Sequence, residues 1–323
     1  MPRISCDGRE LTLSLGDNLL DALLAAGVQV ASSCRAGACQ QCLVQATHGT
    51  PPASAQVGLK DAQVQRGYFL ACQANATEDL TVSLSGAGGL DVPGLIASVE
   101  FLTMDVLRVL VRLKGRLEYR AGQYITLVRA DGLTRSYSIA SHGASNRDCL
   151  ELHVRLFPNG KMSSWLSSHR ALRAEVAIRG PIGDCFYVPG NPTQPLLLVG
   201  TGTGLAPLWG ILHDALESGH SGPIELWHGA RTAGGLYLVR ELEALASTHR
   251  QFTYRRCILQ GPADAGTEVC DLDAALLASA TSFEGRRVFL CGDPNLVRQL
   301  KRKVFLKGAS MREIHADAFV AVS

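Results

Sequence analysis

The sequence predicts a multidomain chain: a small α+β module, then an antiparallel β-barrel, then an α/β domain on a parallel sheet. Three observations predict it. Before residue 88, a tight hairpin signal is followed by one amphipathic helix. Between 95 and 188, short alternating strands are separated by turn residues, the pattern of an antiparallel barrel. Beyond 195, apolar runs without alternation are interleaved with helical patterns, which calls for a parallel sheet covered on both faces. At 323 residues the chain is long enough for several separate cores.

The elements follow in order. Residues 4–6 and 11–14 alternate around Asp7-Gly8, a hairpin signal. Asp17 is then expected to cap a helix carrying Leu19, Leu20, Leu23 and Leu24, stopped by Gly27. The stretch Ser85-Gly86-Ala87-Gly88-Gly89-Leu90-Asp91-Val92-Pro93-Gly94 is the densest in Gly and Pro and reads as a linker. Barrel strands are expected over 106–113, 123–128, 136–140 and 150–156, with one helix over 161–169. A second boundary lies at Pro189-Gly190-Asn191-Pro192-Thr193-Gln194-Pro195. After it come strand 196–199, helix 207–216, strands 224–227 and 288–291, and helix 296–305. The expected domains are therefore 1–88, 94–190 and 191–323.

Composition narrows the class. A net charge of +2 gives no support for nucleic acid or an acidic membrane as partner. There is no apolar stretch of about 18 residues, and Met1-Pro2-Arg3-Ile4-Ser5-Cys6 lacks a signal-peptide layout, so the expected compartment is the cytosol. Ten cysteines there do not suggest a disulfide framework, and four of them cluster in a ligand-like spacing.

Cys34, Cys39 and Cys42 stand in a C-x4-C-x2-C spacing, and Cys72 follows after 29 intervening residues. This is the plant-type [2Fe–2S] spacing, four thiolates for two irons. Gly37 supplies backbone freedom to the loop, and Ala36 and Ala38 leave room beside it. The alternative is a four-cysteine zinc site, which usually comes as two C-x2-C knuckles. The segments Ser33-Cys34-Arg35-Ala36-Gly37-Ala38-Cys39-Gln40-Gln41-Cys42 and Phe69-Leu70-Ala71-Cys72-Gln73 resemble the ferredoxin-like module of oxygenase reductases, as in the naphthalene and benzoate dioxygenase reductases. That resemblance implies a β-grasp fold for the module. Gln40 departs from it, standing where relatives usually carry Gly, Ser or Ala.

Two further motifs extend the resemblance. Arg135-Ser136-Tyr137-Ser138 lies on an expected strand, and Asn159-Gly160-Lys161-Met162-Ser163 opens the helix of the barrel, where free N–H groups favour phosphate. Together they resemble the flavin module of the ferredoxin–NADP reductase superfamily. The resemblance implies that Arg135 holds the flavin phosphates, Tyr137 stacks on the isoalloxazine and Ser138 faces its N5. It further implies that His153 and Arg155 border the ribityl–phosphate chain, and that Gly160, Lys161 and Ser163 bind the pyrophosphate. The turn Gly180-Pro181-Ile182-Gly183 fits the superfamily too and reads as structural.

Gly200-Thr201-Gly202-Thr203-Gly204 follows a strand and precedes a helix, the setting of a pyrophosphate cradle. It is not the six-residue G-x-G-x-x-G, but with Leu205, Ala206 and Pro207 it matches the superfamily's G-x-G-T-G-x-A-P. Cys291-Gly292-Asp293-Pro294 ends a later strand, and in relatives this Cys-Gly pair lies beside the nicotinamide; an ordinary buried cysteine is the bland alternative. Arg231, after Gly229-Ala230, stands where the adenosine ribose is expected and is able to pair a 2′-phosphate. Related NADH enzymes carry an arginine there as well, and the reading leans to NADH. The C-terminal Asp317-Ala318-Phe319 resembles the last strand of aromatic-ring dioxygenase reductases, with Phe319 either beside the flavin or in the core.

The order of the modules implies an NAD(P)H-dependent iron–sulfur flavoprotein reductase, carrying FAD rather than FMN. Ser138 and Cys291 are the expected catalytic residues. Electrons would pass from NAD(P)H through FAD and [2Fe–2S] to a ferredoxin or terminal oxygenase, in an aromatic-ring dioxygenase or monooxygenase system. A reductase for a deoxysugar dehydrase, or a general electron carrier or dye reductase, remains as an alternative. The chain is expected to be a monomer.

Overall fold

The computed structural model describes residues 1–6, 8–28, 30, 35, 42–59, 61–84, 92–142 and 148–319. The chain divides into two compact units, Met1–Gly89 and Leu90–Ser323.

The first unit is a five-stranded mixed sheet packed against its first helix, with a second short helix. Its elements are β1 (Arg3–Cys6), β2 (Arg9–Thr12), α1 (Leu19–Ala25), β3 (Leu43–His48), α2 (Asp61–Gln65), β4 (Tyr68–Leu70) and β5 (Leu80–Ser83). The strand order β2-β1-β5-β3-β4 places the first and last strands side by side and parallel, as a β-grasp requires. The expected hairpin forms, with Cys6 opposite Arg9 and Gly8 at φ +82°. Leu19, Leu20 and Leu23 of α1 are buried in the core with Phe69 and Val44. The cap of α1 corrects the expectation. Asn18, not Asp17, accepts from the N–H groups of Leu20 and Asp21. Asp17 turns back instead, and its carboxylate accepts from Ser14 N at 2.8 Å.

The second unit holds two sheets. The first is antiparallel: β6 (Val92–Phe101), β7 (Val106–Leu113), β8 (Tyr124–Arg129), β9 (Thr134–Ser138), β10 (Cys149–Arg155) and β11 (Glu175–Ile182), with α3 (Lys161–Leu166) between the last two. The strand order is β10-β7-β6-β11-β8-β9, and a bridge between Ile139 and Leu152 joins its ends into a barrel. The barrel helix is shorter than the expected 161–169. The Ser167 and Ser168 hydroxyls donate to the carbonyls of Ser164 and Trp165, a side-chain alternative to helix propagation. Strand β6 already begins at Val92, inside the stretch that reads as a linker.

The second sheet is wholly parallel, ordered β15-β14-β13-β12-β16-β17. Its elements are β12 (Leu196–Thr201), α4 (Leu205–Glu217), β13 (Ile224–Ala230), α5 (Val239–Thr248), β14 (Phe252–Ile258), β15 (Thr267–Val269), α6 (Leu272–Ser279), β16 (Arg287–Gly292), α7 (Pro294–Leu306) and β17 (Ile314–Ala318). Helices on both faces explain why β12 and β16 read as unbroken apolar runs. Helix α4 starts two residues before the expected 207, with Pro207 in its first turn, where a missing N–H breaks no bond. The two sheets share a core, since Val106, Cys185 and Tyr187 pack with Leu208, Ile211 and Phe289. Among the described residues, no helix is long and apolar enough to cross a membrane.

Candidate active site and cluster site

The cluster site lies in the first unit. Cys34 and Cys39 fall outside the described residues, as does Gly37; Cys42 and Cys72 fall within them. Cys42 enters β3, and Cys72 sits in a 3₁₀ turn over Ala71–Gln73. Ala71 N donates to the Cys42 carbonyl at 3.0 Å, which ties the two segments together. Asn18 Nδ2 donates to the Cys72 carbonyl at 3.0 Å, and Gln73 Nε2 lies 3.5 Å from Cys72 Sγ. Burial pushes the Cys42 thiol up, and the neighbouring Cys72 thiol adds to it. The cost of a buried Cys42 thiolate is met when a cation takes the proton's place. These residues fit an iron–sulfur cluster, and an amide aimed at a ligand sulfur is one of its usual tuning groups.

The second site forms where strand ends of the second unit meet. After β12 the chain makes a 3₁₀ turn over Gly202–Gly204 and enters α4. This turn interlocks with the end of β16. A Cβ on Gly204 would stand 2.3 Å from the Cys291 carbonyl oxygen, and one on Gly292 (φ +117°) 2.6 Å from that of Thr201. Asp293 N donates to Thr201 Oγ1 at 3.3 Å. Gly200 faces Cys291 in the parallel register. The glycine turn and the Cys-Gly pair are therefore one assembly. The Asp293 carboxylate caps α7, accepting from Asn295 N and Leu296 N. Pro207 is buried, whereas Arg231 is exposed just past β13.

Strand β17 joins this assembly to the barrel. Cys291 is paired with Asp317, whose Oδ2 accepts from Ser138 Oγ at 3.2 Å. Burial raises the Asp317 carboxyl to about 6, with Asp184 contributing and the Ser138 bond opposing. Cys185 Sγ lies 3.7 Å from Cys291 Sγ, and burial first, then Cys185, pushes the Cys291 thiol well up. Half-buried Phe319 donates its N–H to the Gly292 carbonyl at 2.8 Å.

The barrel residues divide into two groups. Arg135 and Tyr137 lie on one face of β9, both half-buried, and burial raises the Tyr137 hydroxyl. Gly160 caps α3 closely, since a Cβ there would stand 2.4 Å from Ser163 Oγ. Ser163 Oγ in turn donates to the Gly160 carbonyl and accepts from Phe157 N, both at 3.3 Å, so it shapes the turn. Lys161 is exposed at the first position of the helix. Arg155 crosses towards the glycine turn, its Nη1 3.7 Å from where a Gly202 Cβ would stand.

His153 lies inside the fold. It is fully buried, with Nε2 2.9 Å from Glu151 Oε1 and Nδ1 3.2 Å from the Tyr237 hydroxyl. Burial lowers its pKa, and a carboxylate only accepts, so Nε2 donates and Nδ1 accepts from Tyr237. Both ring nitrogens are thus engaged within the protein, and the residue braces the barrel against the parallel-sheet half. Sequence reasoning missed this brace, and it missed the roles of Asp317 and Cys185. For Asp317 the signal was at hand, an acidic residue within an apolar last strand.

Three family models match the chain: a 2Fe-2S iron-sulfur cluster binding domain over residues 4–77, an oxidoreductase FAD-binding domain over 94–187 and an oxidoreductase NAD-binding domain over 198–302. The expected cofactor set, [2Fe–2S], FAD and a nicotinamide nucleotide, thus corresponds to matched domains. The chain is 32% identical over 322 residues to the naphthalene 1,2-dioxygenase system ferredoxin–NAD(P)+ reductase component of Pseudomonas putida, covering 98% of this chain and 97% of that one. It is 32% identical over 335 residues to the reductase subunit of an aromatic O-demethylase from Amycolatopsis sp., covering 99% of each. Among solved structures it is similar to the Amycolatopsis cytochrome P450 reductase GcoB, with TM-score 0.69, 32% identity and 99% of each chain covered. It shares the fold of the ferredoxin reductase in carbazole 1,9a-dioxygenase, with TM-score 0.66, 22% identity and coverage of 99% of this chain and 98% of that one.

Proposed function

The chain belongs to the family of iron–sulfur flavoprotein reductase components of oxygenase systems, and from that membership we propose that it takes hydride from NADH and delivers single electrons to a ferredoxin or terminal oxygenase. Relatives named for naphthalene and terephthalate dioxygenases and for an aromatic O-demethylase support an aromatic substrate for the system it serves.

The observation that carries the reading is the meeting of Ser138, Asp317 and Cys291 beside the glycine turn. FAD, when bound, would supply the exchange between two-electron and one-electron chemistry, and Cys34, Cys39, Cys42 and Cys72 would hold a cluster suited to one-electron transfer. The chain's own residues bind and orient. Arg135, Gly160 and Lys161 would hold the flavin phosphates, and Tyr137 would cover the ring. Asp317 fixes the direction of the Ser138 hydroxyl, and its raised pKa keeps a proton one hydrogen bond from Ser138 Oγ at mildly acidic pH. The Cys291 thiol stays uncharged, so it packs against a nicotinamide ring as a polarisable surface rather than a nucleophile. Residues 200–204 would cradle the pyrophosphate. One exposed arginine, Arg231, is a thin basis for NADPH preference, which calls for several charge-assisted hydrogen bonds.

The test uses the purified full-length protein. About two irons, two acid-labile sulfides and one FAD per chain are expected, with a higher kcat/KM for NADH than for NADPH. Cys39→Ser should abolish NADH-driven reduction of cytochrome c while ferricyanide is still reduced. Zinc without labile sulfide, or full cytochrome c reduction by that variant, overturns the reading. A roughly tenfold advantage for NADPH that is lost in Arg231→Ala reverses the choice of nucleotide.

A further inference from the structure

Helix α4 meets the barrel at a second place, further along its axis than the glycine turn. Gly210 lets it come close: a Cβ there would stand 2.7 Å from Ala121 Cβ and 3.0 Å from the Ala140 carbonyl oxygen. His213 and Glu217 follow Gly210 at i+3 and i+7, so all three share one helix face. The barrel segment opposite is held as firmly. Ile139 bridges to Leu152, and Ser141 Oγ accepts from the Tyr119 hydroxyl at 3.0 Å and from Glu151 N at 3.2 Å. The next residue, His142, therefore lies against the turn of α4 that follows Gly210.

Three ligand-type side chains converge there. The rings of His142 and His213 stack with centroids 3.8 Å apart and planes 11° apart. His142 Nδ1 lies 2.7 Å from Glu217 Oε1. One ligand atom from each of His142, His213 and Glu217 lies within 4.8 Å of the others. The Trp209 ring packs against His213 at 4.4 Å between centroids and fixes its outer side. His213 Nε2 is buried with no hydrogen-bond partner among the described residues.

We propose that His142, His213 and Glu217 form a site for an imidazole-seeking divalent transition metal, of the Zn2+ or Ni2+ class, that clasps α4 to the barrel. Two imidazoles and a carboxylate are the donor set such ions take, and three protein ligands leave a position for water. Bonds of about 2.0–2.2 Å bring the ligand atoms to roughly 3.3–3.5 Å from one another, so the group contracts on binding. A metal cannot lie in the planes of two stacked rings at once. The His142 ring therefore turns about its broad Cβ–Cγ torsion and leaves the stack. Its hydrogen bond to Glu217 is replaced by a shared metal, which also meets the carboxylate's charge. The ligands come from the barrel and from the first helix of the parallel-sheet half, so the bound ion links the two. His213 lies about 13 Å along the helix from Gly204, and none of the three residues is part of the proposed hydride site.

The test is a calorimetric titration of the FAD- and cluster-loaded full-length protein with Ni2+. Nickel favours imidazole and is less drawn to thiolates than zinc, so the cluster cysteines compete little. One micromolar equivalent per chain is expected. It should weaken at least about tenfold in Glu217→Gln and in His142→Gln, and stay unchanged in His169→Gln, at an exposed histidine elsewhere. Ni2+ should also raise the melting temperature of the wild type and not of Glu217→Gln, since an ion that binds only the folded state stabilises it. Glu217 is exposed, so that variant keeps the fold. Equal affinity in wild type and Glu217→Gln, or only millimolar binding, overturns the proposal.

Discussion

The α-carbon of Gly204 lies directly against the peptide carbonyl of Cys291: a methyl group on Gly204 would come within 2.3 Å of that oxygen and 2.8 Å of the Gly292 α-carbon. Backbone cannot step aside as a flexible side chain does. Gly204→Ala must therefore part the strand end of β16 from the glycine turn. A loss of about 1–3 kcal/mol is expected, together with a raised KM for NADH. Gly234→Ala, where nothing lies within 4 Å of the added carbon, is the control and should melt with the wild type. Matching thermal melts for both variants would contradict the close approach.

Asp317 should leave a mark on the pH dependence of stability. Its carboxyl is raised from 3.8 to about 6, so between those values the folded state keeps a proton that the unfolded state has released. Binding more protons when folded means that stability falls as pH rises from about 4 to 6, then levels off. At about 1.4 kcal/mol per pKa unit, the loss is at most about 3 kcal/mol. Asp317→Asn should remove that slope. Its melting temperature should match the wild type near pH 4 and exceed it at pH 7, whereas parallel curves would place the titration elsewhere.

Tyr137→Ala should release FAD without unfolding the protein. Its ring only borders the barrel core, so the expected loss is cofactor contact more than packing. Gel filtration followed by flavin absorbance decides the matter. Full FAD retention and a normal rate of reduction would remove Tyr137 from the flavin site.

Cutting the chain between the two compact units should separate hydride chemistry from single-electron delivery. The cut belongs before β6, because Val92 and Pro93 pair with Ile178 and Ala177 of β11. A fragment of residues 90–323 should bind FAD and reduce ferricyanide with NADH, since that transfer needs only donor and acceptor atoms within about 3–3.5 Å. It should fail with cytochrome c. Full-length rates with cytochrome c would break the order from flavin to cluster to partner.

Much of the fold was legible because its signals are local. Strand β7 follows its alternation from Leu107 to Leu113, with Leu107, Val109, Val111 and Leu113 buried. The cap of α1 was misplaced by one residue, although Asp17 and Asn18 are both good capping residues. The choice was made from outside the helix: Asn18 bridges to Asn75, and Leu19 N donates to the Ala74 carbonyl at 2.9 Å. Alternation placed His153 correctly on the face of Glu151 and Arg155. It had no means of showing that Tyr237, 84 residues later, covers that face.

The sequence by itself determined the chemistry this protein handles. Three cysteines at ligand spacing with a fourth 29 residues further on, an R-x-Y-S strand and a glycine turn between strand and helix each carry their signal in residue type and spacing, so each is readable in the chain. Only the tertiary structure decided which groups work together. Ser138 meets Asp317 across 179 positions, and Cys185 meets Cys291 across 106. The physical reason is that both pairs form where the barrel half packs against the parallel-sheet half in a shared core, so their partners come from segments far apart in the chain and no periodicity in the sequence reports which residues will touch.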